Sequence, residues 1–160
     1  DGEPYWDGGY TGNPALYPLI YQTSGLDILL VRLTPLQRTD NPTRSIDIID
    51  RLSEITFNAS LISEMRAIAF VKRLIDEHKL DRGRYKPLHM HMVADDAGMS
   101  AFNASSKFNT DWAFLQELHR LGHQAADGWL KAHRDRVGHD SSFDIHDAFL
   151  QQLGPAPGHS

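Results

Sequence analysis

The short apolar run at residues 27–33, Asp-Ile-Leu-Leu-Val-Arg-Leu, constrains the fold of this chain more than any other feature. Runs of this length and composition are typical of strands in a parallel sheet that helices cover on both faces. Pro35 ends the run, since proline has no backbone N–H to donate. Residues 87–94, Pro-Leu-His-Met-His-Met-Val-Ala, alternate like a second strand. The sequence therefore predicts two strands of a covered sheet.

Residues 45–80 between the two runs have a helical pattern, with Ser45 as the predicted N-cap. Either one long helix or two helices separated near Phe57 and Asn58 fit the pattern. The predicted core stripe recurs every three to four residues, at Ile46, Ile49, Leu52, Ile55, Leu61, Met65, Ile68 and Ile75. The polar connection at residues 36–44 is a candidate for the entrance to a site.

Further short helices are predicted on either side of this central part. Residues 15–21 favour a helical turn with Leu16, Leu19 and Ile20 in the core. The last third predicts helices at residues 111–121, 124–137 and 143–153, the first capped by Thr110 and interrupted or ended by Gly122.

Composition and charge narrow the class of protein. The chain has 160 residues, enough for one domain, and a net charge of -5, which argues against nucleic acid as a partner. It contains no cysteine and no apolar run long enough for a membrane span. We expect a soluble, cytoplasmic protein without a transmembrane segment, and leave open its attachment to a membrane surface.

The clearest candidate for chemistry is Asp7, which Tyr5 and Trp6 precede and Gly8 and Gly9 follow. A carboxylate can act as general base when it lies within hydrogen-bond reach of the reacting group and is partly shielded from water. The aromatic side chains could provide shielding, and the glycines permit a tight turn with positive φ. The alternative is a structural turn in which the aspartate accepts a hydrogen bond from its own backbone.

Two other groups of residues are weaker candidates for a functional site, a pair of histidines and a Ser-Ser-Lys segment. His89 and His91 lie two apart on a strand and share a face, which can start a zinc site, but no obvious third ligand accompanies them. We expect hydrogen-bonded or surface histidines there, and neither a metal nor a cofactor. The segment Ser105-Ser106-Lys107 lacks the glycine-flanked turn that exposes a nucleophilic serine.

Several runs together carry a resemblance that covers nearly the whole chain. They are Tyr-Trp-Asp-Gly-Gly-Tyr-Thr-Gly-Asn-Pro at residues 5–14, Leu-Thr-Pro at 33–35, and the runs at 51–61, 64–71, 105–112 and 125–130. In these runs the chain resembles the C-terminal portion of bacterial patatin-like phospholipases. The resemblance implies a three-layer α/β fold with a mostly parallel central sheet, flanking helices and a helix-rich C-terminal half. Residues 1–153 would form that portion and residues 154–160 a flexible tail.

The resemblance also implies a function. It makes Asp7, on the turn of Gly8 and Gly9, the base of a Ser-Asp dyad that hydrolyses a lipid ester through an acyl-enzyme. The family's G-x-S-x-G nucleophile turn and oxyanion loop belong to its N-terminal half, and this sequence contains no such turn. The chain also begins without methionine, so we expect a piece of a longer polypeptide.

Two functional alternatives follow from this resemblance. In the first, an N-terminal half, covalently continuous or a second chain, is the partner, and the isolated chain has no esterase activity. In the second, the chain is a non-catalytic interaction module that binds a lipid surface or a partner protein.

Overall fold

A computed structural model of the protein describes residues 2–38, 41–102, 106 and 108–151. These residues have a mixed α/β fold with 55% helix and one small parallel sheet, which confirms the predicted α/β class. The strands are β1 (Asp27–Arg32) and β2 (His89–Ala94). The α-helices are α1 (Tyr17–Gln22), α2 (Ser45–Asp76), α3 (Asp96–Met99) and α4 (Trp112–His133). Short 3-10 helices form at Gly8–Tyr10 and Arg134–Arg136, and a π-helix at His146–Leu150.

The two strands pair in parallel from Asp27 opposite His89 to Arg32 opposite Ala94. Parallel strands need a crossover connection, and here α2 lies within that connection. Residues that pair directly in a parallel sheet share a face, so the register divides the side chains into two sets. One face carries Ile28, Leu30 and Arg32 with Met90, Met92 and Ala94, and the other carries Asp27, Leu29 and Val31 with His89, His91 and Val93.

The first face of the sheet forms the core together with the second half of α2. Met65 and Met90 are completely buried there. The same cluster contains Ile28 and Leu30 of β1, Leu61 and Ile68 of α2, and Ile145 and Phe149 near the C-terminal end of the described chain. The prediction that these helix positions and the two strands form the core is confirmed.

The second face of the sheet is covered only on the β2 side. The rings of His91 and Trp129, which belongs to α4, are 5.7 Å apart in an edge-to-face arrangement. The β1 side remains open, since Leu29 is 51% and Val31 63% exposed. The prediction that β1 is covered on both faces is therefore wrong for the described part of the chain, because Leu29 and Val31 on this face remain exposed.

Helix α2 is one continuous helix, so the alternative of two helices near Phe57 is excluded. It begins at Ser45, and the N-cap position belongs to Arg44, which pairs with Asp47, so the prediction of Ser45 as N-cap is wrong.

The first half of the predicted core stripe is also wrong. Its members are exposed by half or more: Ile46, Ile49, Leu52 and Ile55. The less exposed side of this half carries Glu54 instead, whose ion pair with Arg38 is nearly buried.

The predicted helices at residues 111–121 and 124–137 form one helix, α4, so the prediction of two helices there is wrong. Gly122 lies inside this helix and neither interrupts nor ends it. Asp111 caps α4 by accepting a hydrogen bond from the Phe114 N–H, at 3.1 Å, so Thr110 is not the cap.

Within the helix expected at residues 143–153, a π-helix of five residues forms at His146–Leu150, and residues 152 and 153 lie outside the described residues. The Asp147 N–H donates to the Asp144 side chain at 3.0 Å.

Near the N-terminus, α1 confirms the predicted short helix, with Leu16 buried and Leu19 about half exposed rather than in the core. Within the described ranges no helix has the length and apolar character needed to cross a membrane. The predicted tail at residues 154–160 lies outside the described residues.

The core assignment predicts the effect of truncating Met65. We expect Met65→Ala to lower the free energy of unfolding by about 2–5 kcal/mol, because the deleted atoms leave a cavity between α2 and the sheet. Ile48→Ala is the matched control on the exposed side of the same helix, and we expect a change within about 0.5 kcal/mol. Urea denaturation followed by circular dichroism measures both. Equal losses in the two variants would contradict this core.

Candidate functional site

The Asp7 side chain caps the 3-10 turn that begins at Gly8. Its Oδ1 accepts a hydrogen bond from the Gly9 N–H at 2.8 Å, and its backbone carbonyl accepts from the Tyr10 N–H at 3.2 Å. The Gly8 carbonyl accepts from the Thr11 hydroxyl at 2.8 Å, which closes the turn on the other side. The structural alternative, a capping aspartate, is thus present. It uses one carboxylate oxygen only, and no described residue hydrogen-bonds to Oδ2.

The two glycines of the turn have different roles. Neither Gly8 nor Gly9 adopts a positive φ, so the turn does not need glycine for its backbone conformation. A Cβ on Gly9 would lie 3.1 Å from Asp7 Oδ1 and 3.3 Å from the ring of Phe57, whereas a Cβ on Gly8 would meet nothing. A Cβ on Gly9 would therefore need a small shift of the Asp7 carboxylate and of the Phe57 ring.

The aromatic residues before the turn do not shield Asp7 from water within the described structure. Trp6 is 87% exposed, Tyr5 nearly as much, and Asp7 itself is exposed. The aromatic contact is on the other side, where the Tyr10 ring lies 6.0 Å from the ring of Phe57 on α2. Together with a bond from the Asn13 N–H to the Ser60 hydroxyl, 3.3 Å, this contact holds the turn against α2.

A guanidinium clamp lies at the carboxyl end of the sheet, where ligands bind in open α/β folds. Arg38 donates through Nε and Nη2 to both oxygens of Glu54, at 3.2 and 2.7 Å. It also donates to the carbonyls of Ser100 and Phe102, at 2.9 and 2.8 Å. Both charged side chains are nearly buried. The clamp joins the connection after β1, helix α2 and the segment after α3.

A cavity of about 340 Å³ lies next to this clamp. Its walls come from the residues after β1, from α2, from the end of α3 and from the first half of α4. Phe57 belongs to the wall and also contacts the Asp7 turn. The predicted entrance region at residues 36–44 contributes Arg38. The structure thus brings the motif turn and a cavity to one end of the sheet.

The two strand histidines converge on Asp27, which sequence reasoning did not single out. His91 is 1% exposed, and its Nε2 lies 2.9 Å from Asp27 Oδ1. Nδ1 of His89 lies 3.5 Å from the same oxygen, and the Gly138 N–H donates to it at 2.8 Å. The sequence feature that could have identified Asp27 is its position at the start of β1, because the parallel register places this residue beside His89.

This arrangement ties the sheet to the segment that follows α4. The Gly138 N–H and His91 hold the pKa of the Asp27 carboxyl below its ordinary value, because both stabilise the charged form. Gly138 has a φ of +83°, which favours glycine at the point where its N–H turns toward Asp27. No three histidine, aspartate or glutamate side chains among the described residues are arranged to hold a metal ion. His91 is hydrogen-bonded to Asp27, whereas Nδ1 of His89 is buried without a hydrogen-bond partner in the described part of the chain.

The segment Ser105-Ser106-Lys107 lies outside the described residues except for Ser106.

Comparisons with protein-family models, with curated proteins and with solved structures found no match for this chain.

The geometry around Asp27 predicts a pH-dependent loss of stability in Asp27→Asn. A carboxyl whose pKa is lowered by folding contributes stability above its unfolded pKa of about 4, and that contribution disappears as pH falls through the folded pKa. We therefore expect the variant to melt below the wild type at pH 7, and the difference in Tm to shrink as pH falls below 4. A difference in Tm that stays constant down to pH 2 would contradict this interpretation.

Proposed function

We propose that this chain supplies the catalytic base of a patatin-like lipid acyl hydrolase. Asp7 is that base, and the nucleophilic serine and the oxyanion-binding amides belong to a further polypeptide segment, covalently continuous or associated. One observation carries the proposal: one oxygen of Asp7 is fixed by the Gly9 N–H, while the other is exposed and has no described partner. A general base needs this combination of fixed orientation and a free acceptor atom.

The chemistry of such a site is acyl transfer. A serine hydroxyl oxygen attacks the ester carbonyl carbon while its proton passes to Asp7, and the proton then leaves with the alcohol as the C–O bond breaks. Water, deprotonated by Asp7, then attacks the acyl carbon of the acyl-enzyme. The bond between that carbon and the serine oxygen breaks, Asp7 returns the proton to the serine oxygen, and the fatty acid leaves. Backbone amides of the further segment stabilise the oxyanion. No step needs a metal or a cofactor.

The incomplete sheet supports a further segment as partner. Within the described chain the sheet has two strands, so each has an edge whose backbone groups pair with no other strand. Parallel sheets are normally covered on both faces, yet Leu29 and Val31 are exposed on β1. An added strand beside β1, with a helix over its open face, would bury both side chains and yield the three-layer architecture that the resemblance implies.

The exposed half of α2 favours a second candidate function, a non-catalytic module that binds a lipid surface or a partner protein. Its exposed apolar residues are Ile46, Ile48, Ile49, Leu52 and Ile55. Peripheral attachment to a membrane would use such a surface. We prefer the hydrolase, because the module does not account for the open carboxylate of Asp7.

The decisive variant is Asp7→Asn, assayed in the presence of a polypeptide that carries the G-x-S-x-G serine. We expect hydrolysis of a short acyl ester to fall roughly 100- to 10,000-fold, because the amide cannot take the serine proton. The Tm should stay within a degree or two of wild type, since the Asn oxygen can still accept from the Gly9 N–H.

Asp81→Asn is the matched control for this assay. Asp81 Oδ1 accepts from the Gly83 N–H at 2.8 Å in a similarly exposed turn, so the substitution changes the same charge in the same geometry. We expect full activity in this variant. Wild-type activity in Asp7→Asn, or equal losses in both variants, would overturn the assignment of Asp7 as base.

A further inference from the structure

A second cavity, of about 870 Å³, lies between the second half of α2 and the chain that follows α4. Its volume is within the range of about 300–1,000 Å³ that small-molecule sites occupy. It shares no described lining residue with the cavity beside the Arg38 clamp. The Asp7 turn packs at Phe57, on the first half of α2, so the second cavity is also separate from the proposed base.

The apolar part of this cavity contains two aromatic rings. Phe70 of α2 is 51% exposed, although it is one of the largest side chains of the lining. The ring of Phe143 packs against Phe149 with centroids 6.0 Å apart, which fixes its position. An exposed aromatic ring is a surface on which a flat group can stack. The other apolar lining residues are Ala69, Ile145 and Leu150.

Three arginine side chains from two parts of the chain line the same cavity. Arg66 has no hydrogen-bond or ion-pair partner among the described residues. Nε of Arg73 lies 4.0 Å from Glu77, which is beyond hydrogen-bond distance. Arg136 donates through Nη1 to the Ser141 carbonyl at 3.0 Å. A guanidinium has five N–H donors, so each of these side chains retains donors for a ligand.

Two of the acids at the cavity are balanced by bases outside its described lining. Lys79 Nζ lies 2.6 Å from Glu77 Oε2. Asp76 lies 3.6 Å from Arg82 and 3.7 Å from Lys72, which is itself part of the lining. The described lining has as many Arg and Lys residues as acids. Lys79 and Arg82 therefore leave the surroundings of the cavity with an excess of positive charge.

The other two acids at the cavity are bound to backbone groups. Asp140 Oδ1 accepts from the Ser141 N–H at 2.8 Å, and Asp144 Oδ1 accepts from the Asp147 N–H at 3.0 Å. Asp140 Oδ2 is 4.0 Å from Arg136, too far for a hydrogen bond. The remaining carboxylate oxygens can accept from a hydroxyl or amino group of a ligand.

We propose that this cavity binds a small organic phosphate with a flat, largely apolar body, which is the chemistry of a nucleotide. Guanidinium groups bind phosphate oxygens through paired, charge-assisted hydrogen bonds. A phosphate presents three terminal oxygens and up to about two negative charges, which suits three arginines better than the two oxygens of a carboxylate. The flat group would cover the exposed ring of Phe70. Binding would not require Asp7, since the cavity is separate from that turn.

The test is isothermal titration calorimetry of ADP with the 160-residue chain. We expect saturable binding at a single site. Adenosine lacks the phosphates, and glycerol 3-phosphate has the phosphate of a lipid headgroup without a flat group. Each should bind about tenfold or more weakly than ADP. Equal affinity for ADP and adenosine would overturn the role of the arginines, and equal affinity for ADP and glycerol 3-phosphate would indicate a headgroup site and overturn the proposal.

Arg73→Gln and Arg84→Gln are a matched pair of variants. Arg73 lies over the Phe70 ring at 5.4 Å and Arg84 over the Tyr85 ring at 5.8 Å, but only Arg73 belongs to the described lining. We expect Arg73→Gln to weaken ADP binding about tenfold or more, because a charge-assisted hydrogen bond is lost. Arg84→Gln should bind ADP as wild type does.

Two further variants separate the phosphate contacts from the stacking surface. Arg66→Gln removes no described contact, so it should retain the wild-type Tm while losing affinity for both ADP and glycerol 3-phosphate. Phe70→Ala should lose affinity for ADP and leave that for glycerol 3-phosphate unchanged. The Tm of each variant shows whether its fold is retained.

Four results would overturn the proposal. They are the absence of saturable ADP binding to the wild type, wild-type affinity in a folded Arg66→Gln or Arg73→Gln variant, wild-type affinity in a folded Phe70→Ala variant, and an equal loss in Arg84→Gln. We expect Asp7→Asn to bind ADP as wild type does, so the result is independent of the hydrolase assignment.

Discussion

The structure depends on the burial of one face of a parallel strand pair against the second half of α2. Met65 and Met90 meet in a fully buried core, and parallel pairing forces the chain to cross over between the strands. The crossover brings both strand ends to the same edge of the sheet. The connections that follow β1 and β2 meet there, with Arg38 bridging them to α2. The motif turn packs on α2 at Phe57, so the candidate site is a consequence of the crossover.

The opposite face of the sheet combines a hydrogen-bonded aspartate with the ring contact between His91 and Trp129. Asp27 accepts from His91 and from the Gly138 N–H, which joins the first residue of β1 to β2 and to the chain beyond α4. The arrangement anchors the C-terminal segment at the amino end of the sheet. The two aspartates differ in their partners. Asp27 Oδ1 is bound by His91 and by the Gly138 N–H, while Asp7 is exposed and only its Oδ1 has a described partner. The proposed role of Asp7 as a base depends on that difference.

The sequence predicts the strands and the second half of α2 well, because short apolar runs and a regular apolar stripe reflect local chain geometry and burial together. It fails at Ile46, Ile49, Leu52 and Ile55, where the same helical period continues although no described element covers the helix. Periodicity identifies an apolar face but not the surface that covers it. The N-cap of α4 was missed because Thr110 and Asp111 are adjacent and both can cap a helix, although aspartate is the preferred residue.

The sequence indicates Asp7 and its two glycines as parts of the candidate site. It does not indicate which residues contact them in the folded chain. The contact of Gly9 with Phe57 joins residues far apart in the chain, as does the Arg38 clamp with Ser100 and Phe102. Such contacts follow from the strand crossover and leave no local pattern to read. His89 and His91 are a similar case, because their spacing suggests a metal site while their true partner is an aspartate on the neighbouring strand.

We propose that Asp7 activates a serine carried by another part of the enzyme. Labelling with a fluorophosphonate, which reacts with activated serines, is the direct test of this proposal. Intact mass spectrometry of the protein purified from its natural source, after reaction with the probe, would locate the label. We expect one added probe mass on a G-x-S-x-G serine in a polypeptide continuous with or bound to this chain. A lone, unlabelled species of 18.1 kDa would contradict it.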